Sequence, residues 1–147
     1  MGRGLVGMII DNILLDKLTA QAKESPRLRM NMDLRNSSAD SSQRMLNAIE
    51  PGSVVPIHRH QKTSETVVVL RGRVVEEYYS SAGALEASYE LAAGGPVFAL
   101  NIPAGQWHTL RALESGTVIL EMKDGAYEPI GAEDVMDVFK RESLQGK

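Results

Sequence analysis

Hydrophobic positions along the chain change their spacing once, near residue 43. Before it, Ile13, Leu14, Leu18 and Ala22 recur at helical intervals, while Asp16, Lys17, Gln21, Lys23 and Glu24 fill the positions between. Residues three and four apart share one face of an α-helix, so this spacing predicts a single amphipathic helix with Asp11 as its N-cap. The helix should stop near Ser25, because the residue before Pro26 is pushed away from helical dihedrals. Residues 27–40 are polar and weakly patterned, and read as extended chain followed by a Ser-rich loop.

Beyond Gln43 the pattern becomes a series of short β-like runs, at 44–49, 54–60, 65–70, 73–79, 85–91, 97–102, 108–113 and 117–122. Such runs at roughly 8–12 residue spacing predict an all-β sandwich or barrel. The breakers between them include Pro51-Gly52, Arg71-Gly72, Gly94-Gly95-Pro96, Pro103 to Gly105 and Ser115-Gly116, residue types that turns require. Residues 133–140 predict one more short helix. A chain of 147 residues can close one hydrophobic core but hardly two. One domain over 1–147 is therefore expected, with a helix and extended arm at 1–42, a barrel core at 43–123 and a C-terminal segment at 124–147.

Composition narrows the chemistry. A formal charge of −3, from 16 basic and 19 acidic side chains, offers no broad basic field for a phosphate backbone, and no nucleic-acid partner is expected. The chain has no cysteine, which removes disulfides, thiolate metal sites, iron–sulfur clusters and thiol nucleophiles together. Any metal must take nitrogen and oxygen ligands. The apolar stretch 5–10 is broken by Gly7 and followed at once by Asp11, so it does not read as a signal peptide. No apolar run reaches the ~18 residues of a membrane span. The expectation is a cytoplasmic protein with no membrane partner.

Only three histidines are present, and two of them are His58 and His60. Residues i and i+2 of a strand point to one face, so this pair would present two imidazoles side by side. Glu65 follows after a step long enough to turn and enter the next strand. His108 opens a later strand just past the tight Pro103-Ala104-Gly105 turn. Three neutral imidazoles and a carboxylate suit one borderline divalent ion, Fe, Mn, Ni or Zn, far better than soft Cu(I).

The order of these residues resembles the two sequence motifs of the cupin superfamily. Gly52, His58, His60, Glu65 and Gly72 match every defined position of the first motif. Pro103, Gly105 and His108 match the second, which departs from the pattern at Val97, where glycine is usual, and at Ala112, where asparagine is usual. Over most of the chain, through Ser25-Pro26-Arg27 and residues 43–52, 58–60 and 103–121, the sequence is similar to the WbuC family of cupin-fold metalloproteins, found among polysaccharide and O-antigen genes. The resemblance implies an all-β cupin jelly-roll barrel with metal at its centre, held by His58, His60, Glu65 and His108. It implies no particular reaction.

Candidate substrate groups follow from strand register. If Arg71-Gly72 is a two-residue hairpin turn, Val67 faces Glu76 and Glu65 faces Tyr78, which turns Val67, Val69, Val74, Glu76 and Tyr78 toward the interior with Glu65. A Glu and a Tyr where aliphatic residues would pack more easily are costly unless hydrogen-bonded or functional, so Glu76 and Tyr78 are the acid/base candidates. A register slip of one residue would instead place Glu77 and Tyr79 inside. Among the basic residues Arg44, embedded in an apolar run, is the candidate substrate-binding group. Trp107 should point away from His108 and serve packing. The reading is a metal-binding cupin acting on a small oxygen-rich molecule such as a sugar or sugar acid linked to polysaccharide biosynthesis, as an isomerase, epimerase or oxygenase. The alternatives are a non-catalytic small-molecule-binding or regulatory module and a structural partner in a polysaccharide-assembly complex. A homodimer is expected, because small jelly rolls leave sheet edges to cover.

Overall fold

The computed structural model describes residues 5–136. Its elements in chain order are α1 (Asn12–Glu24), β1 (Arg29–Asp33), β2 (Ser42–Ile49), β3 (Glu65–Arg71), β4 (Arg73–Tyr79), β5 (Leu85–Ala92), β6 (Ala99–Ile102), β7 (Trp107–Ala112), β8 (Thr117–Asp124) and a 3₁₀ turn at Ala132–Asp134. The strands form a five-stranded sheet in the order β1-β2-β8-β3-β6 and a three-stranded sheet in the order β5-β4-β7. This is a jelly-roll-like cupin arrangement.

Helix α1 begins where its cap predicts, with the Asp11 carboxylate accepting the Leu14 N–H at 3.0 Å. Its buried face is Leu15, Leu18, Thr19 and Ala22, a spacing of three, four and seven from the first. Ile13, expected on that face, is 79% exposed; the stripe starts two residues later. The stripe packs on Leu46 and Ala48 of β2 and Val118 of β8, the outer face of the five-stranded sheet. Burying each such leucine contributes roughly 1.5–3 kcal/mol.

Alternation in the strands decides what faces inward. Ile49, Val67, Val69, Val74, Ile102 and Ile119 close the space between the two sheets. Every one of these belongs to the parity that the outer face does not use, as a pleated strand requires.

The β3–β4 junction differs from expectation. β3 pairs with β6 and β8, and β4 pairs with β5 and β7, so the two strands flank the Gly72 turn without pairing. The chain crosses here from one sheet to the other. Gly72 has φ +84°, and a Cβ on it would lie 2.8 Å from the Thr117 Cα, so only glycine passes. The inward set was nevertheless read with the right parity: Val67, Val74 and Glu76 are fully buried, while Glu77 lies on the opposite face near Arg111 at 4.0 Å.

Three further expectations shift. Residues 54–60 do not form a ladder; Pro56 has no N–H to offer, and only His58 makes isolated bridges. Residues 29–33, read as extended arm, form an edge strand on β2, with Met30 and Met32 turned to the α1 side. The C-terminal helix expected at 133–140 is a short 3₁₀ turn at Ala132–Asp134, and residues 137–140 lie outside the described residues.

Candidate metal centre

His58 and His108 are joined through their own backbones. The His58 N–H donates to the His108 carbonyl at 3.0 Å and the His108 N–H to the His58 carbonyl at 2.8 Å. A residue pair that exchanges both bonds in an antiparallel bridge carries its side chains on one face. His60 follows two residues after His58, and its carbonyl accepts the Gly105 N–H at 2.8 Å. The turn ahead of His108, with Gly105 at φ +86°, is thereby pinned to the loop that carries His60. On its other side, the strip around His58 is held by residues 134–136. Arg59 N–H donates to the Asp134 carbonyl, Met136 N–H donates to the Ile57 carbonyl, and the Asp134 carboxylate accepts from Arg59 Nε at 2.9 Å and Gln61 Nε2 at 2.6 Å.

One ligand atom from each of His58, His60 and His108 lies within 4.8 Å of the other two, and this cluster could hold a metal ion. Glu65, the first residue of β3, brings Oε2 to 3.6 Å from His60 Nε2 and 3.4 Å from His108 Nε2. The His58 and His108 rings each place Nδ1 2.8 Å from a backbone carbonyl, of Pro56 and Gln106. With a proton on Nδ1, each ring turns an unprotonated Nε2 lone pair away from that carbonyl.

Electrostatics favour the neutral form of His58 and His60 and the charged form of Glu65. Burial, aided by the neighbouring His108, brings His58 down to about 4. Burial and the nearby Lys123 charge do the same for His60, also to about 4. For Glu65 burial works against the charge, but the His108 contact and Lys123 outweigh it and hold its carboxyl below the usual range.

Glu76 and Tyr78 sit on the facing sheet. Tyr78 is directly opposite His108 across the β4–β7 ladder, and Glu76 is opposite Leu110, so both look inward with His108. Glu76 has no exposed surface, and neither of its carboxylate oxygens has a hydrogen-bond partner. Burial pushes its carboxyl well above the ordinary value, and the charges of Glu65 and Glu121 add to this. Burial also raises Tyr78, to about 12. Tyr78 stacks edge-on against Tyr89 of β5, ring centres 5.0 Å apart.

Arg44 does not join this group. It sits on the strand parity of Leu46 and Ala48, and its Nη1 is held by Asp40 Oδ2 at 3.1 Å and the Ser42 carbonyl at 2.7 Å. Trp107 packs beside Ile57, Tyr79 and Met136 with the Arg59 guanidinium 4.7 Å from its ring, on the side away from His108. Sequence reading passed over Glu121, Lys123 and Asn47. In β8 the outer parity is Val118, Leu120 and Met122, which leaves Thr117, Ile119, Glu121 and Lys123 for the interior. That alternation was readable. Glu121 is buried, and burial followed by the nearby Glu65 charge raises its carboxyl.

No helix among the described residues is long and apolar enough to cross a membrane. No curated protein matches the sequence. Solved structures match in fold. Capsular polysaccharide assembling protein CapF from Staphylococcus aureus is 19% identical with a TM-score of 0.58, over 76% of this chain and 32% of CapF. A recombinant oxalate oxidase in complex with glycolate is 18% identical with a TM-score of 0.57, over 73% and 55% of the two chains. A cupin 2 domain-containing protein from Halorhodospira halophila is 17% identical with a TM-score of 0.57, over 80% and 77%. The chain thus spans about a third of CapF and about half of the oxidase. These likenesses identify the fold as a cupin fold. Residues 10–91, more than half of the sequence, match a family model described as a domain of unknown function, and the chain belongs to that family, DUF6016.

Proposed function

We propose that the chain is a metal-dependent cupin in which His58, His60, Glu65 and His108 hold one divalent ion and Glu76 and Tyr78 handle protons on a small oxygen-rich substrate. The observation that carries the reading is the convergence of three imidazole nitrogens and a carboxylate oxygen between the two sheets. Around an ion with bonds of ~2.1 Å, neighbouring ligand atoms sit roughly 3–3.5 Å apart, the range that Glu65 Oε2 keeps from His108 and nearly keeps from His60. His60 Nε2 and Glu65 Oε2 are buried with no hydrogen-bond partner, a costly state that coordination relieves. The donor set fits Fe, Mn, Ni or Zn.

A bound divalent ion supplies Lewis-acid polarisation of a substrate oxygen or a bound water of lowered pKa. The remaining work falls to the chain. The Pro56 and Gln106 carbonyls orient two imidazoles. Glu76, whose carboxyl burial raises well above the ordinary value, can donate a proton to a substrate oxygen and take it back, and Tyr78 beside His108 can hydrogen-bond the same substrate. A purely binding module has no use for a buried carboxyl with two unpartnered oxygens; Glu76 therefore favours catalysis over the non-catalytic alternative. Arg44, which lines a cavity on the β1, β2 and β8 side with Asp40 on its guanidinium, remains the candidate substrate-binding arginine. The stretches similar to the WbuC family support a place beside polysaccharide assembly, as does the likeness to a protein named for capsular polysaccharide assembly. Isomerisation, epimerisation and oxygenation of a sugar or sugar acid are the reaction types that suit this equipment.

Elemental analysis of the purified protein tests the reading. Wild type should carry a divalent metal, His58→Ala should lose it with an unchanged far-UV spectrum, and Glu76→Gln should keep it. Turnover on a panel of sugar acids should drop by ~10²–10⁴ in Glu76→Gln. Full metal content in His58→Ala would reject the assignment.

A further inference from the structure

A cavity of about 260 Å³ opens on the β1, β2 and β8 side of the molecule, lined among others by Asn31, Gln43, Glu121, Lys123 and Tyr127. Two of its lining residues also border the candidate metal centre: Lys123 stands directly across the β3–β8 ladder from Glu65 and shares its face, and Glu121, two residues away on the same strand, shares that face too.

The charges around the cavity do not cancel evenly. Arg35 is matched by Asp33, with Nη2 to Oδ2 at 2.9 Å, and Arg44 by Asp40 at 3.1 Å. Lys123 makes no ion pair within 4.0 Å among the described residues. Of the cations that line the cavity, Arg35, Arg44 and Lys123, only Lys123 is left without an ion-paired partner among the described residues, and it stands on the face that carries Glu65.

The other lining groups suit hydroxyls. Asn31 has no side-chain hydrogen bond among the described residues. Gln43 donates to the Gly125 carbonyl at 3.0 Å, which leaves its amide oxygen to accept. Tyr127, at the rim, offers an aromatic face that already meets the Arg35 guanidinium at 5.6 Å. The volume lies just below the usual range for ligand pockets, ~300–1,000 Å³, and so admits one sugar-sized molecule rather than a nucleotide or a polymer segment.

We infer that Lys123 is the carboxylate-recognition residue of a substrate subsite, and that the substrate class is a small monocarboxylic polyhydroxy acid whose hydroxyls extend toward the metal centre. This deepens the proposed function and rests on its placement of the metal centre. Lys123 would meet the carboxylate, Asn31 and Gln43 the nearer hydroxyls, and Tyr127 the C–H face of the carbon chain. Neutral sugars lack the group that Lys123 is placed to bind.

Calorimetric titration of the full chain with D-gluconate and with D-glucitol, which differ only at the carboxylate carbon, tests the inference. Wild type should bind gluconate at least about tenfold more tightly than glucitol, an increment of ~1.4 kcal/mol. Lys123→Gln should erase that preference and Lys123→Arg should restore part of it, with metal content by elemental analysis equal in all three proteins. Lys17→Gln, on the exposed side of α1, should behave as wild type. Equal binding of the two probes by wild type, no binding of gluconate, or an undiminished preference in Lys123→Gln would overturn the subsite. A wild type that carries no metal yet keeps a Lys123-dependent gluconate preference would sustain the subsite while removing the metal centre, so the two failures read differently.

Discussion

On its outer face the five-stranded sheet meets α1 through Leu46, Ala48 and Val118, each fully buried. On its inner face the same two strands and the neighbouring β3 bury Asn47, Glu121 and Glu65, each less than a tenth exposed. Depth in the molecule is nearly equal, but at these positions, set among the apolar Ile49, Val67, Val69 and Ile119 of the same face, the chemistry is opposite. The apolar face is stabilised by every group it removes from water. The inner face removes carboxyls and an amide from water and leaves several of their atoms without partners, which costs stability. A face maintained at such a cost is the one expected to serve binding or catalysis. The facing sheet repeats the contrast, with Val74 and Leu110 packed beside the unpartnered Glu76.

Substitutions on the two faces should therefore move stability in opposite directions. Leu46→Ala, on the α1 side, should lose ~2–5 kcal/mol in denaturant unfolding while elemental analysis finds its metal content unchanged. Glu76→Met removes two buried, unpartnered oxygens and should gain ~1–3 kcal/mol in the same measurement while abolishing turnover. If Glu76→Met instead destabilises the protein as Leu46→Ala does, the two faces do not differ in kind.

Acid should find the inner face first. In chelator-treated protein, His58 and His60 are held neutral down to about 4, whereas the unfolded chain protonates near the ordinary histidine value of 6.5. Their contribution to stability is therefore complete above 6.5 and lost as pH falls from 6.5 through 4. Glu65, with its carboxyl lowered, adds a loss at still lower pH. Glu76 acts with the opposite sign: its raised carboxyl favours the fold below the ordinary glutamate value of 4.5 and the benefit fades as pH rises. Melting temperature should fall on acidification below 6.5, less steeply in His58→Gln. In Glu76→Gln the decline toward alkaline pH should flatten. The smallest effect belongs to a position far from both faces of the contrast: Asp11→Ala removes the α1 cap and should cost ~1 kcal/mol with no change in metal content or in pH profile.

The histidine cluster, with Glu65 beside it, was legible because spacing along a chain carries information about a β-fold. His58 and His60, two apart, and Glu65 and His108 at the starts of runs, were enough to anticipate four groups around one centre. The inward set around Glu76 was reached with correct parity from an incorrect pairing. Parity survives such an error because Gly72 separates the strands without changing which alternate positions face the core, whereas pairing depends on the chain crossing between sheets. That crossing is dictated by the Thr117 backbone beside Gly72, a neighbour 45 residues away in sequence. Arg44 looked exceptional for being polar in an apolar run, yet it lies on the other parity near the sheet's end, where Asp40 and solvent can meet it. Glu121 and Lys123 were overlooked for the converse reason: two charged residues in a strand read as its solvent face, although the apolar Val118, Leu120 and Met122 occupy the side covered by α1.

From sequence alone came the residue types, their alternation and the breaks between runs, and these determined α1, most of the strands and the nitrogen and oxygen chemistry of the centre, because local propensity and pleat periodicity act over a few residues. Tertiary structure alone decided that the 134–136 segment would brace the His58 strip, that β3 and β4 would part into separate sheets, and that Lys123 would stand across from Glu65 facing a cavity. Those outcomes depend on which distant strands exchange hydrogen bonds, a competition among long-range pairings that no local pattern encodes.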